Sequence, residues 1–247
     1  MTMVHEPAGL PRFWIVGYDW RTDERLQRLQ DEGLVLGSEE QNRFGAAWTA
    51  LHWARPSEDI CPPLVPHDFP APRLRFPQQD FAPDYMYLGP ITLVSRRLRE
   101  TLALAEAGVQ YLPIEISSSS PAARAQDYRW INIRACYPAL DMAQSSYDTY
   151  EFTHPITGEQ HQMHWLFDRI ALRDEIDPAA QLFRAAEHTT FVLAADLLAE
   201  RVMRAGCTGI VFEDPDTVPG FGRPIHRYRT ATGVMEEDMN QVYPPAP

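Results

Sequence analysis

Two stretches of this sequence share one grammar, and that grammar limits the fold more than any other feature. They are ITLVSRRLRETLALAEAGVQYLPIEI, residues 91–116, and TTFVLAADLLAERVMRAGCTGIVFEDP, residues 189–215. Each opens on a short apolar run that reads as a strand. Each continues with a helical run, in the first case with Leu98, Leu102 and Ala105 on one face. Ser95 stands where an N-cap belongs, and Asp196 is the available cap of the second helix. Ala107-Gly108 and Ala205-Gly206 stop the helices, so both glycines are expected in left-handed backbone at C′. An alternating strand follows each stop.

Two strand–helix–strand units predict an α/β (α+β) protein with a mixed sheet and few helices. Between them lie YRWINIRACYPALD (128–141) and YDTYEFTHPITGEQHQMHWLFDRIAL (147–172), which read as a β-meander. The second contains a hairpin with Thr157-Gly158 as its two-residue tip, a register that sets His154 opposite His161. Asp177-Pro178 reads as a helix start, with Asp at N-cap and Pro at N1. Upstream, RFWIVGYDW (12–20) reads as a strand and TDERLQRLQDEG (22–33) as a short helix. Eight prolines between Pro56 and Pro83 push that stretch into an irregular connector. The expected organisation is an N-terminal region with this connector over 1–82, an α/β domain over 83–235 and a tail over 236–247.

Charge narrows the partners. The 247 residues carry 34 acids against 22 basic residues, all of them Arg, for a net charge of −12. Nucleic acid binding needs a basic face, so no nucleic acid is expected; a basic protein or a cationic ligand fits better. Without lysine there is no Schiff base, no pyridoxal phosphate site and no Walker loop. Three widely spaced cysteines, Cys61, Cys136 and Cys207, give neither a disulfide framework nor a zinc ribbon. The N-terminal residues show no signal peptide and no run reaches the length of a membrane span, so the expected setting is cytoplasmic, with no membrane partner.

Chemical candidates are few. Cys207 follows a helix C-terminus, the end that raises a thiol's pKa, so it reads as a small apolar filler and not a nucleophile. Gly206 and Gly209 follow a helix, whereas a phosphate loop precedes one. His154, His161 and His164 cluster, but His161 and His164 fall on opposite strand faces. That leaves a His154/His161 pair, incomplete for zinc. No cofactor is expected. Acids concentrate at Glu213, Asp214 and Asp216, and again at Glu236, Glu237 and Asp238, with Arg223, Arg227 and Arg229 between them. These six are the candidate contacts for a basic protein partner.

Residues 83–215 resemble immunity family eleven of bacterial polymorphic-toxin systems. The likeness rests on Ser95 leading a helix after a short strand, and on Gly108, Gln110, Tyr111 and Pro113. It continues through Phe167-Asp168 and closes with Gly206, Thr208, Gly209, Ile210 and Phe212. These motifs carry no catalytic residue. The resemblance implies a cytoplasmic protein that is not an enzyme and that neutralises a cognate toxin, encoded by the adjacent gene, by stoichiometric occlusion. The rival readings are a metal-assisted hydrolase using His154 and His161, and an adaptor or chaperone that loads a toxin for secretion.

Overall fold

In a computed structural model, the protein is described at residues 12–19, 35–36, 71, 73–75, 82–88, 91–105, 108–117, 121–153, 158, 160–217 and 225–238. The expected helix at 22–33, most of the proline-rich connector, His154, Thr157 and the chain beyond 238 lie outside these residues. The described residues are mainly strand with a few short helices, the expected α+β class. The chain divides into two compact units that interleave along the sequence: 1–16, 136–200 and 212–247 form one, and 17–135 with 201–211 form the other.

The second of these contains a four-stranded sheet of β4 (Tyr85–Leu88), β5 (Ile91–Val94), β6 (Val109–Leu112) and β8 (Arg129–Ile133), in the order β4-β5-β8-β6. Both β5 and β6 run antiparallel to β8, so they are parallel to each other with β8 inserted between them. The connection from β5 to β6 carries helix α1 (Arg96–Leu102), which buries Leu98 and Leu102. A short helix α2 (Pro121–Ala125) precedes β8. The core beneath gathers Met86, Ile91, Leu93, Leu112, Tyr128 and Trp130. A three-stranded sheet joins β2 (Val35–Leu36), β3 (Arg73–Arg75) and β7 (Glu115–Ser117), with β3 and β7 parallel.

Ser95 caps α1 as expected, its hydroxyl accepting from the Leu98 N–H at 3.1 Å. The other end differs from expectation. The helix stops at Ala103, which takes left-handed backbone at φ 45°. Gly108 has no positive φ; it forms the turn into β6, its carbonyl accepting from the N–H groups of Arg134 and Ala135. The Ala103 N–H still donates to the Arg99 carbonyl at 3.1 Å, so the alanine closes the last turn in a position that ordinarily favours glycine.

The other unit is built on a seven-stranded sheet of order β16-β15-β14-β1-β13-β12-β9. Its strands are β1 (Phe13–Tyr18), β9 (Cys136–Tyr137), β12 (Leu182–Ala185), β13 (His188–Ala195), β14 (Ile210–Glu213), β15 (Ile225–Thr230) and β16 (Gly233–Asp238). The expected N-terminal strand is thus β1, placed between the two strands of the second strand–helix–strand unit. Phe13 meets Phe183 edge-on at 5.4 Å in the core, and Tyr137 meets the same ring at 5.4 Å. Asp177 starts a turn and not a helix: its carboxylate accepts from the Ala179 N–H at 2.8 Å, and β12 begins soon after. Strands β10 (Ser146–Thr153) and β11 (Gln160–Arg169) form their own two-stranded sheet, so the segment between the two helical modules is spread over three sheets.

Helix α3 (Asp196–Arg204) begins in this unit, and the chain passes to the other after Glu200. Asp196 does not cap it. Its carboxylate accepts from Trp14 Nε1 and from Arg229 Nε, each at 2.8 Å. Gly206 does close the helix, at φ 66°. Its N–H donates to the Met203 carbonyl at 3.0 Å and that of Cys207 to Val202 at 3.5 Å, the two bonds of a Schellman stop.

Candidate partner-binding surface

The acids singled out above fall on three pieces of chain, with β15 between the second and the third. Glu213 ends β14, Asp214 precedes a 3-10 turn (Pro215–Thr217), and Glu236, Glu237 and Asp238 end β16, the edge strand of the sheet. They therefore lie on a strand and not in a loose tail. Antiparallel pairing sets Arg227 opposite Glu236, His226 opposite Glu237 and Ile225 opposite Asp238.

The structure joins the two acidic clusters through one arginine. Arg227 Nη2 lies 2.9 Å from Asp214 Oδ2, and its Nε lies 3.9 Å from Glu236 Oε1. Asp214 is buried and its bonds are internal. Its carboxylate accepts from the Asp216 N–H at 3.0 Å, its own N–H donates to the Arg227 carbonyl and its carbonyl accepts from Thr217. Burial lifts this carboxyl above the ordinary aspartate range although Arg227 and the Asp216 N–H oppose the shift. Glu213 Oε1 sits 3.0 Å from His226 Nε2, an ion-pair distance without hydrogen-bond alignment. Both side chains are largely buried. Of the six acids, Asp216 and Asp238 are exposed, Glu236 and Glu237 are half-buried, and Glu213 and Asp214 fix the turn from inside. Exposed Ile225 and Met235 lie on the same hairpin.

The histidines do not pair as their spacing predicts. His161 stands opposite Phe152, and Thr153 opposite Gln160. The register is therefore two positions away from the one a turn at Thr157-Gly158 sets. Among the described residues there is no group of three or more His, Cys, Asp or Glu placed to hold a metal.

Cys207 is buried, and its thiol is pushed up by burial and by the nearby Asp84, against smaller opposing effects of Thr101 and Arg97. Its position follows the Schellman stop, and its neighbours form a hub that the sequence reading missed. Asp84, 1% exposed, accepts from Ser95 Oγ at 2.5 Å, from the Thr208 N–H at 2.9 Å, from Thr208 Oγ1 at 3.2 Å, and from Arg97 through both Nε and Nη2. Burial opposes the charge, but the donors from Arg97, Ser95 and Thr208 outweigh it and hold the carboxyl below its ordinary range. Beside this hub Gly209, at φ 81°, passes so close to β4 that a Cβ would lie 2.3 Å from the Tyr85 carbonyl oxygen. The two ends of the motif meet here: Ser95 at its start, and Thr208 and Gly209 at its close.

The model of the immunity protein family Imm11 matches residues 11–217. The chain belongs to the Imm11 immunity protein family. The match takes in β1, consistent with the central place of that strand in its sheet, and ends at Thr217, before β15. Imm11 membership gives this protein an immunity role, with a toxin as its general partner. The Imm11 residues that carried the resemblance are now placed. Ser95, Gly206, Thr208 and Gly209 cap, stop and pack the two helical modules. No curated protein sequence matches the chain, and no helix among the described residues is long and apolar enough to cross a membrane.

Proposed function

We propose that this Imm11 protein acts in the cytoplasm by binding a cognate toxin, encoded by the adjacent gene, and occluding it one to one without chemistry of its own. The observation that carries this reading is the family match over residues 11–217. The placement of the reactive groups supports it: Asp84, Asp214 and Cys207 are bound into caps and turns, as structural groups are. The acidic edge formed by Asp216, Glu236, Glu237 and Asp238 provides a charged rim for a basic toxin, with Glu213 and Asp214 acting indirectly by fixing the turn.

Co-expression tests it. Cells making the toxin encoded beside this gene should resume growth when this protein is supplied, and the two should purify as a complex without toxin activity. No complex with that toxin overturns the reading. A complex in which the toxin stays active overturns it as well, in favour of a loading chaperone.

A further inference from the structure

Three guanidiniums in this chain share one carboxylate. Asp127 Oδ2 lies 2.6 Å from Arg99 Nη2 and 3.5 Å from Arg96 Nη2, and Asp127 Oδ1 lies 3.3 Å from Arg129 Nη2. Arg96 and Arg99 stand about one turn apart on α1, and Arg129 opens β8. Backbone groups fix the same junction. The Arg96 N–H donates to the Gln126 carbonyl at 2.9 Å, and Arg99 Nη2 donates to the Asp127 carbonyl at 2.9 Å. Burial opposes the charge on Asp127, but the hydrogen bond from Arg99 and the fields of Arg129, Arg99 and Arg96 outweigh it and hold the carboxyl below its ordinary range.

One carboxylate balances one guanidinium. Arg99 takes it, with a hydrogen bond to Asp127 Oδ2 at 2.6 Å. Arg96 and Arg129 stand at ion-pair distance without hydrogen-bond alignment, and their side chains are 62% and 37% exposed. Each guanidinium carries five N–H donors in a planar fork, so both can still take a second acceptor. Their surroundings add positive charge. Residues 91–135 hold six Arg against four acids, Glu100 on α1 included, in a chain whose net charge is −12. The patch is thus the electrostatic inverse of the chain that carries it.

We propose that Arg96 and Arg129 form a docking site for an acidic side chain of the toxin, with Asp127 as the internal carboxylate that holds them in place and competes for them. The proposal rests on the immunity reading and deepens it. Charge selects the occupant. A net charge of −12 repels free polyanions and other copies of this chain at long range, and attracts a partner with a basic surface. The carboxylate that reaches the two arginines is then one that such a partner carries. Arginine suits the task, because its fork meets a carboxylate through two parallel hydrogen bonds.

The probe is the toxin encoded beside this gene, and the readouts are Kd by calorimetry and the melting temperature of each variant. Arg96→Gln combined with Arg129→Gln should raise Kd about tenfold or more, while Arg204→Gln, which removes the charge of an exposed arginine on α3, stays within about threefold of wild type. Both proteins should melt near wild type, since Arg99 keeps its bond to Asp127. If the double variant proves unstable, Arg96→Gln alone removes the more exposed fork and should raise Kd about threefold or more. Asp127→Asn should act in the opposite sense. Asparagine accepts the left-handed backbone of this position, φ 48°, and loss of the competing carboxylate should lower Kd about threefold or more. A network that only holds the fold would weaken binding in both variants, and that result overturns the proposal. Wild-type affinity in the arginine variants overturns it and leaves the immunity reading standing, and so does an equal loss with Arg204→Gln. Inorganic phosphate that binds the protein alone through Arg96 and Arg129 makes a free anion the occupant and overturns it. A wild-type dimer in light scattering that Arg96→Gln converts to monomers does the same in favour of a second copy. A wild-type protein that does not bind the toxin removes both readings.

Discussion

The two strand–helix–strand modules look alike in sequence and are held by different means. In the first, Ser95 caps α1 and also donates to the buried Asp84, and the helix ends in a left-handed alanine, Ala103. In the second, Asp196 gives its carboxylate to Trp14 and Arg229 instead of capping, while Gly206 makes a complete Schellman stop. One module is fixed at its start and the other at its finish. Equivalent sequence positions therefore carry unequal energies, and substitution can measure the inequality.

The largest effect is expected at the close of the second module. Gly209→Ala combines a left-handed penalty with a collision against the Tyr85 carbonyl, together roughly 3–4 kcal/mol. Denaturant unfolding checks this, and a loss below about 1 kcal/mol would mean that the close approach is dispensable. Next comes Asp84→Ala, which removes the acceptor shared by the buried Ser95 hydroxyl and the Thr208 N–H and should cost about 2–3 kcal/mol through those unpaired donors, with little added by the half-exposed Arg97. Its pH signature is specific. Asp84 has a lowered folded value, so its stabilisation is complete above the ordinary 3.8 and is lost as pH falls through the folded value. Asp84→Asn should therefore flatten the acid limb of the stability curve. Asp214 works in the opposite sense: with a raised folded value, its contribution is present below 3.8 and lost as pH rises through the folded value.

Smaller effects sharpen the same comparison. Ser95→Ala should cost about 1–2 kcal/mol through the lost cap, and Gly206→Ala about 1 kcal/mol through positive φ. Gly108→Ala should lie within about 0.5 kcal/mol of wild type, since the added methyl meets only ordinary contacts, 3.7 Å from the Ala105 carbonyl and 3.8 Å from the Ala135 methyl. Equal losses at Gly108 and Gly206 would break the distinction between the two helix ends. On the acidic edge, the triple change Asp216→Asn, Glu236→Gln and Asp238→Asn should leave folding intact, slow association with the toxin and flatten its salt dependence. Association identical to wild type at low salt would remove that edge from the interface.

Local signals were readable from the sequence and long-range ones were not. The Ser95 cap, the Gly206 stop, the strand at Phe13 and the presence of a hairpin near Gly158 each depend on a few adjacent residues. The Asp84 hub escaped because its donors come from positions 95, 97 and 208, which only the fold assembles. The helix end at Ala103 escaped because a nearby glycine is the stronger local cue, whereas alanine is an uncommon residue in left-handed backbone. The hairpin register escaped because Thr157-Gly158 is a strong local turn cue, yet the pairing sets His161 opposite Phe152, two positions from the register that cue implies. Within the acidic surface, composition located Glu213 and Asp214 but could not show that both point inward, to His226 and Arg227.

The account's central claim is stoichiometric occlusion, and a titration tests it most directly. The activity of the toxin encoded beside this gene is followed as this protein is added. The account predicts a linear fall that reaches baseline at one equivalent, with the toxin recovered at unchanged mass when the complex is dissociated. Loss of activity at a small fraction of an equivalent, growing with time and accompanied by a changed toxin mass, would contradict it and make the protein an enzyme.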